Sequence, residues 1–172
     1  KLAPAGITLL ELIDEYCGGM QDGHALYAYL PGGASGGIFP ASHANVPLDF
    51  DTLQPHGGFI GSAAVIVLSQ HDSARDAALN MMRFFAHESC GQCTPCREGT
   101  GWLWRMVDRI ENGQGRPEDL DLLDSVAGNI MGRTICALGD AAAMPVRSFV
   151  KHFRDEFAHH IEHKTCVVPK YR

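Results

Sequence analysis

The sequence lacks three features that would place it in a nucleic-acid-binding, membrane-spanning or secreted class. Its 14 basic residues are outnumbered by 20 acidic ones, so its charge gives no basis for binding nucleic acid. The longest apolar segment, residues 59–68, is far shorter than the roughly 20 residues that span a bilayer. No basic stretch followed by an apolar one opens the chain. We therefore expect no nucleic-acid partner, no direct membrane insertion and no secretory signal.

The six cysteines do not fit the disulfide framework of a small secreted domain. Three of the six fall within residues 90–96, and a 45% hydrophobic composition supplies a core without covalent cross-links. Clustered cysteines in a chain without a signal sequence are more typical of metal binding. We therefore expect the protein to reside in a reducing compartment.

Residues 1–72 have the pattern of a mixed α/β segment. Thr8 with Glu11 three positions later predicts a capped helix that ends near Cys17, before two glycines. Residues 25–30 and 63–68 are predicted strands, because they are short apolar runs bounded by turn residues. The glycine-rich segment 31–37 lies between them and predicts a turn.

Residues 73–172 have a helical pattern, so the predicted fold class is α+β. Ser73 is a good N-cap for a helix that extends to Glu88. Three further helices are predicted over residues 97–111, 117–131 and 141–163, with Pro145 near the start of the last. Four helices with short connections predict a small antiparallel four-helix bundle, and the boundary between the two predicted domains lies at residues 72–73.

Four cysteines form the strongest candidate site. Cys90, Cys93 and Cys96 make a CxxCxxC run between the first two predicted bundle helices, and Cys136 lies between the last two. In an up-down-up-down bundle those two connections are at the same end. A [4Fe–4S] cube has four irons that each take one thiolate, and this arrangement supplies them. We predict that the four cysteines bind such a cluster.

Two alternatives use the same cysteines differently. A zinc-stabilised interaction module would bind partners without redox activity, although structural zinc more often uses two CxxC pairs than one CxxCxxC run. A thiol-based redox sensor would need an accessible thiol of low pKa and would leave the remote Cys136 without a role.

The residues around the cysteines resemble a known family. Segments 87–99 and 134–143 are similar to the NADH-oxidising flavoprotein subunit of respiratory complex I and to its homologues in NAD-dependent formate dehydrogenases and NAD-linked hydrogenases. The resemblance implies a ubiquitin-like β-grasp domain, here over residues 1–72 and lacking its first hairpin. It also implies a four-helix bundle, here over residues 73–172 with a C-terminal tail, whose [4Fe–4S] ligands are Cys90, Cys93, Cys96 and Cys136.

The resemblance also implies a function. In that family, FMN in a preceding domain takes a hydride from NADH and releases electrons singly to this cluster, which passes them to iron–sulfur subunits of a larger complex. That flavin domain is absent here, and segment 31–37 does not follow the G-x-G-x-x-G spacing of a dinucleotide-binding loop. The expected role is an electron relay in complex I, with formate dehydrogenase or hydrogenase as the alternative. The expected location is the cytoplasm or, peripherally, the cytoplasmic face of the inner membrane.

Overall fold

The computed structural model describes residues 1–168, so the end of the predicted C-terminal tail lies outside it. Within that range the chain combines a small antiparallel three-stranded sheet with a larger set of packed helices. The strands are β1 (Leu26–Leu30), β2 (Phe39–Pro40) and β3 (Ile66–Ser69). The α-helices are α1 (Leu9–Glu11), α2 (Ala74–Glu88), α3 (Thr94–Arg109), α4 (Asp119–Ile130), α5 (Leu138–His152) and α6 (Arg154–His163). None of the helices in this range is long and apolar enough to cross a membrane.

The first helix begins where its capping residues predict. The Thr8 hydroxyl accepts from the Glu11 amide at 3.2 Å, and the Glu11 carboxylate accepts from the Thr8 amide at 2.7 Å. After one α-turn the chain widens into a π-helix over Leu12–Tyr16, which the sequence pattern does not predict. Cys17 ends this segment, as expected from the two glycines that follow.

The sheet has the order β2-β1-β3, and β1 is predicted correctly. Strand β3 begins later than predicted because Ala63 has a φ of 55°, which an extended strand cannot accommodate. Strand β2 is missing from the prediction, since a two-residue strand leaves no alternating pattern to detect. The glycine-rich segment 31–37 is a turn, as predicted. A Cβ on Gly32 would lie 2.4 Å from the Ile60 carbonyl oxygen, so this turn packs directly on neighbouring backbone.

The helices bury one continuous core. Helix α2 packs on α3 and α5, α3 on α4, and α4 on α5. The fully buried side chains of this core include Ala78, Leu103, Leu123, Ala127, Val146 and Phe149. Ala28, Leu30 and Ile38, from the sheet and the segment before β2, belong to the same core. A second, smaller cluster lies on the other side of the sheet and contains Leu9, Tyr29, Phe39 and Leu53. The predicted division at residues 72–73 remains a prediction.

The predicted single helix over residues 141–163 is wrong. The chain forms α5 and α6 instead, and it leaves the helical region at Phe153, where φ is −124° and ψ is 19°. This bend lets Phe157 return and stack on Phe149 with 5.1 Å between ring centroids, so that both rings are fully buried. Pro145 lies inside α5, which begins earlier than predicted. Burial of aromatic side chains therefore outweighs the continuous helical periodicity of this segment.

Three histidines meet where the sheet region contacts the end of α5. The ring centroid of His43 is 5.0 Å from that of His56 and 5.1 Å from that of His152. His152 Nε2 and Lys151 Nζ both lie within hydrogen-bonding range of the His56 carbonyl oxygen, at 3.1 and 3.4 Å. Burial lowers the pKa of His43 and of His152, and the neighbouring histidines and Lys151 lower both further, against an opposing hydrogen bond at His152.

We expect this histidine cluster to make folding less stable in mild acid. Above the usual pKa of 6.5 the rings are neutral in both states and have no effect. Below it the unfolded chain binds more protons than the folded one, so the free energy of unfolding falls with pH until the folded pKa values are passed. Urea midpoints measured between pH 7.5 and 5 should fall more steeply for the wild type than for His152→Gln. Parallel slopes would contradict the assignment.

Candidate iron–sulfur site

The CxxCxxC run occupies a tight connection between α2 and α3. Helix α2 ends at Ser89, whose amide donates to the Phe85 carbonyl at 3.1 Å. Gly91 then adopts a φ of 82°, in the left-handed region that glycine tolerates best. Cys93 is the N-cap of α3, and Cys96 lies in the first turn of that helix. The sequence therefore places two of the thiols at the positive end of the α3 dipole.

Arg97 fixes the shape of this connection. Its guanidinium donates to the Gly91 carbonyl oxygen at 2.8 Å and to the Thr94 hydroxyl at 3.4 Å, and it also contacts Glu98 at 2.9 Å. The first of these bonds crosses from α3 back to the loop. The loop is thus held closed by a charged side chain from the helix that follows it.

Cys136 lies in the connection between α4 and α5. Gly132 adopts a φ of 71°, and its amide donates to the Asp140 carboxylate at 2.6 Å. The Thr134 hydroxyl donates to the Cys136 carbonyl oxygen at 2.9 Å. A Cβ on Gly139 would lie 2.4 Å from the Thr134 hydroxyl, so only glycine permits this close packing. Helix α5 begins two residues after Cys136, so this thiol also lies near a helix N-terminus.

The two connections touch. The Ile135 amide donates to Cys93 Sγ at 3.3 Å, which brings the residue next to Cys136 against the CxxCxxC loop. Cys90 and Cys136 are exposed, Cys93 is half-buried, and Cys96 is buried. The Ser89 hydroxyl lies 3.3 Å from Cys96 Sγ. The assignment of all four cysteines as ligands remains a prediction, and the contact between the loops is the geometry on which it depends.

The donor set fits a cluster better than a single ion. In the range 1–168, no three His, Cys, Asp or Glu side chains are close enough together to hold one metal ion. A cube distributes its four thiolates over four irons, so its ligands do not converge on one point as they do around zinc. Backbone amides and helix N-termini beside the sulfurs match the negative charge that such a cluster carries.

Two features of the site are not predicted from the sequence. The Ile135 amide and the Ser89 hydroxyl both contact cysteine sulfurs, yet neither residue type is itself a ligand. The sequence does contain a signal for Ser89, since this residue directly precedes Cys90 at the end of a predicted helix. It contains none for Ile135, because that contact depends on how two distant loops meet.

Two converging loops that present cysteine thiols at helix N-termini define a helical iron–sulfur module. Residues 76–160 match the model of the NADH-ubiquinone oxidoreductase-F iron-sulfur binding region, and this part of the chain belongs to that family. The resemblance predicted from the sequence is confirmed.

Similar proteins carry related names. The chain is 45% identical over 163 residues to the second F subunit of the NADH-quinone oxidoreductase of Rhizobium meliloti, across 95% of this chain and 39% of that protein. It is 44% identical over 164 residues to the F subunit of the NADH-quinone oxidoreductase of Mycobacterium bovis, across 95% and 37% respectively. The chain thus spans less than two fifths of the length of these relatives.

A solved structure has the same fold. The crystal structure of an NAD+-reducing [NiFe]-hydrogenase in the H2-reduced state aligns with a TM-score of 0.78 at 29% identity. The match covers 90% of this chain and 25% of that one. The mixed architecture of helices with a small antiparallel sheet therefore recurs in a redox enzyme.

Proposed function

We propose that this chain is the electron-relay segment of an NADH:quinone oxidoreductase flavoprotein subunit. Cys90, Cys93, Cys96 and Cys136 would hold a [4Fe–4S] cluster, which supplies reversible one-electron storage when bound. The observation that carries the proposal is the Ile135 amide donating to Cys93 Sγ, because it joins the two cysteine-bearing connections. Membership of residues 76–160 in the iron–sulfur binding family supports it.

The finer architecture belongs to the same proposal. Residues 1–72 would form a partial β-grasp domain, and residues 73–172 would form the four-helix bundle that carries the cluster. The packing of α2, α3, α4 and α5 around one core supports the bundle. Helix α6 would then be an addition to that bundle rather than the end of its fourth helix.

The protein side chains have distinct parts in the relay. The α3 and α5 N-termini offset the charge of the thiolates, which lowers the cost of adding an electron. Cys96 is buried and shields one corner from water, whereas Cys90 and Cys136 lie at the surface. Ile135, 87% exposed beside Cys136, offers an apolar contact to a docking protein. An electron therefore has a short route between the site and a partner.

The partners follow from the names of the relatives. FMN and NAD(H) would bind a domain that precedes this chain in the whole protein, and further iron–sulfur subunits would receive the electrons. Both relatives described above are F subunits of NADH-quinone oxidoreductases, which favours complex I. The hydrogenase match supports the alternative of an NAD-linked hydrogenase or formate dehydrogenase, in which the electrons can run toward NAD+.

The proposal is tested by spectroscopy and metal analysis on one sample. The protein is purified anaerobically, reconstituted with iron and sulfide, reduced with dithionite and examined by low-temperature EPR. We expect about four irons and four sulfides per chain and a half-integer-spin signal on reduction. A colourless protein that takes up zinc and gives no signal after reconstitution would refute the relay and favour the zinc-stabilised interaction module.

A further inference from the structure

The hydroxyl of Ser89 contacts the one buried cysteine of the site. Ser89 Oγ lies 3.3 Å from Cys96 Sγ, within the distance of a hydrogen bond to sulfur. Cys96 is 6% exposed, whereas Cys90 and Cys136 are open to solvent. Water can therefore solvate the exposed sulfurs, and the buried one depends on protein donors.

The backbone holds Ser89 in this position from two sides. Its amide is bonded to the Phe85 carbonyl as the cap of α2, and its side chain faces the first turn of α3. Cys96 is itself fixed, because its carbonyl oxygen accepts from the buried Thr100 hydroxyl at 2.7 Å. The contact thus joins two rigid helix ends and does not depend on a mobile loop.

The direction of the hydrogen bond follows from the chemistry of the bound state. In the free protein either atom can donate. Once Cys96 binds iron it does so as a thiolate, which has no proton and can only accept. The Ser89 hydroxyl must then donate to sulfur.

We infer that Ser89 is a positioning residue that raises the reduction potential of the cluster through Cys96. This rests on the proposed function. Reduction adds a negative charge that spreads onto the ligand sulfurs, and a donor to a sulfur gains strength as that charge grows. The bond therefore stabilises the reduced state more than the oxidised state.

The test compares Ser89→Ala with Ser89→Thr in the whole protein that carries this sequence, reconstituted anaerobically. The midpoint potential is measured by EPR-monitored redox titration. Ser89→Ala should shift the reduction equilibrium about fivefold toward the oxidised cluster. At about 59 mV per tenfold for one electron, this is a fall of about 40 mV. Ser89→Thr keeps the hydroxyl and should stay close to the wild type, and iron content should be equal in all three proteins.

The outcomes separate this inference from the proposed function. A wild type that assembles the cluster, with a potential that Ser89→Ala leaves unmoved, overturns the inference alone. A wild type that takes up no cluster overturns the proposed function and the inference with it. If Ser89→Ala fails to assemble, Ser89→Gly removes the same hydroxyl. Failure of both, with assembly in Ser89→Thr, would show a structural role and overturn the inference.

Discussion

Cys136→Ser should abolish the EPR signal of the intact cube and lower the bound iron and sulfide well below the wild-type content of about four each. The CxxCxxC loop can hold three corners, but the fourth iron depends on the thiol beside Ile135, whose amide bonds to Cys93 Sγ. A hydroxyl is a far weaker ligand for iron in such clusters than a thiolate. Iron and sulfide assays with EPR on the same anaerobic sample measure the effect.

The matched control is Cys17→Ser. Cys17 is also exposed, but it lies at the end of the π-helix in the sheet region and outside the cysteine-bearing connections. It should leave iron, sulfide and the EPR signal unchanged. Equal losses in both variants would contradict the assignment of Cys136, because general damage from removing a thiol would then explain the result. Full iron in Cys136→Ser would point to a different fourth ligand.

The parts of this fold that the sequence predicts are those fixed by neighbouring residues. Ser73 starts α2 through its own hydroxyl, and Thr8 with Glu11 starts the first helix, so both beginnings are visible in a few letters. The break at Phe153 is different, because it exists to bring Phe157 onto Phe149. That packing depends on the assembled core, and the local pattern contains no trace of it.

The site divides in the same way. The CxxCxxC run and the remote Cys136 can be recognised as candidate ligands because their residue type and spacing carry the chemistry. The Ile135 amide has no such signature, since any residue has an amide and only the meeting of two distant loops gives it a role. Hydrogen bonds to the cysteine sulfurs therefore need the structure, even where the cysteines themselves do not.

Removing Glu156 should destabilise the protein strongly, because it would weaken a buried charge network between the sheet and the helices. Arg75 is only 1% exposed, and its guanidinium pairs with Glu111 and with Glu156, the latter at 3.7 Å. Glu156 also accepts hydrogen bonds from Tyr27 and, at 2.9 Å, from Ser73. Burial, together with Glu156, raises the pKa of Tyr27, so this hydroxyl stays protonated and continues to donate.

Glu156→Ala would leave the buried Arg75 with one carboxylate and the Tyr27 and Ser73 hydroxyls without their acceptor. Breaking a buried pair costs roughly 3–5 kcal/mol, so we expect a loss of about 3 kcal/mol while Glu111 remains. Asp124→Ala is the control, since its pair with Arg147 is half exposed on both sides and should be worth less than about 1 kcal/mol. Urea midpoints with unchanged m-values measure both. Equal losses in the two variants would show that burial adds nothing to the Arg75 network.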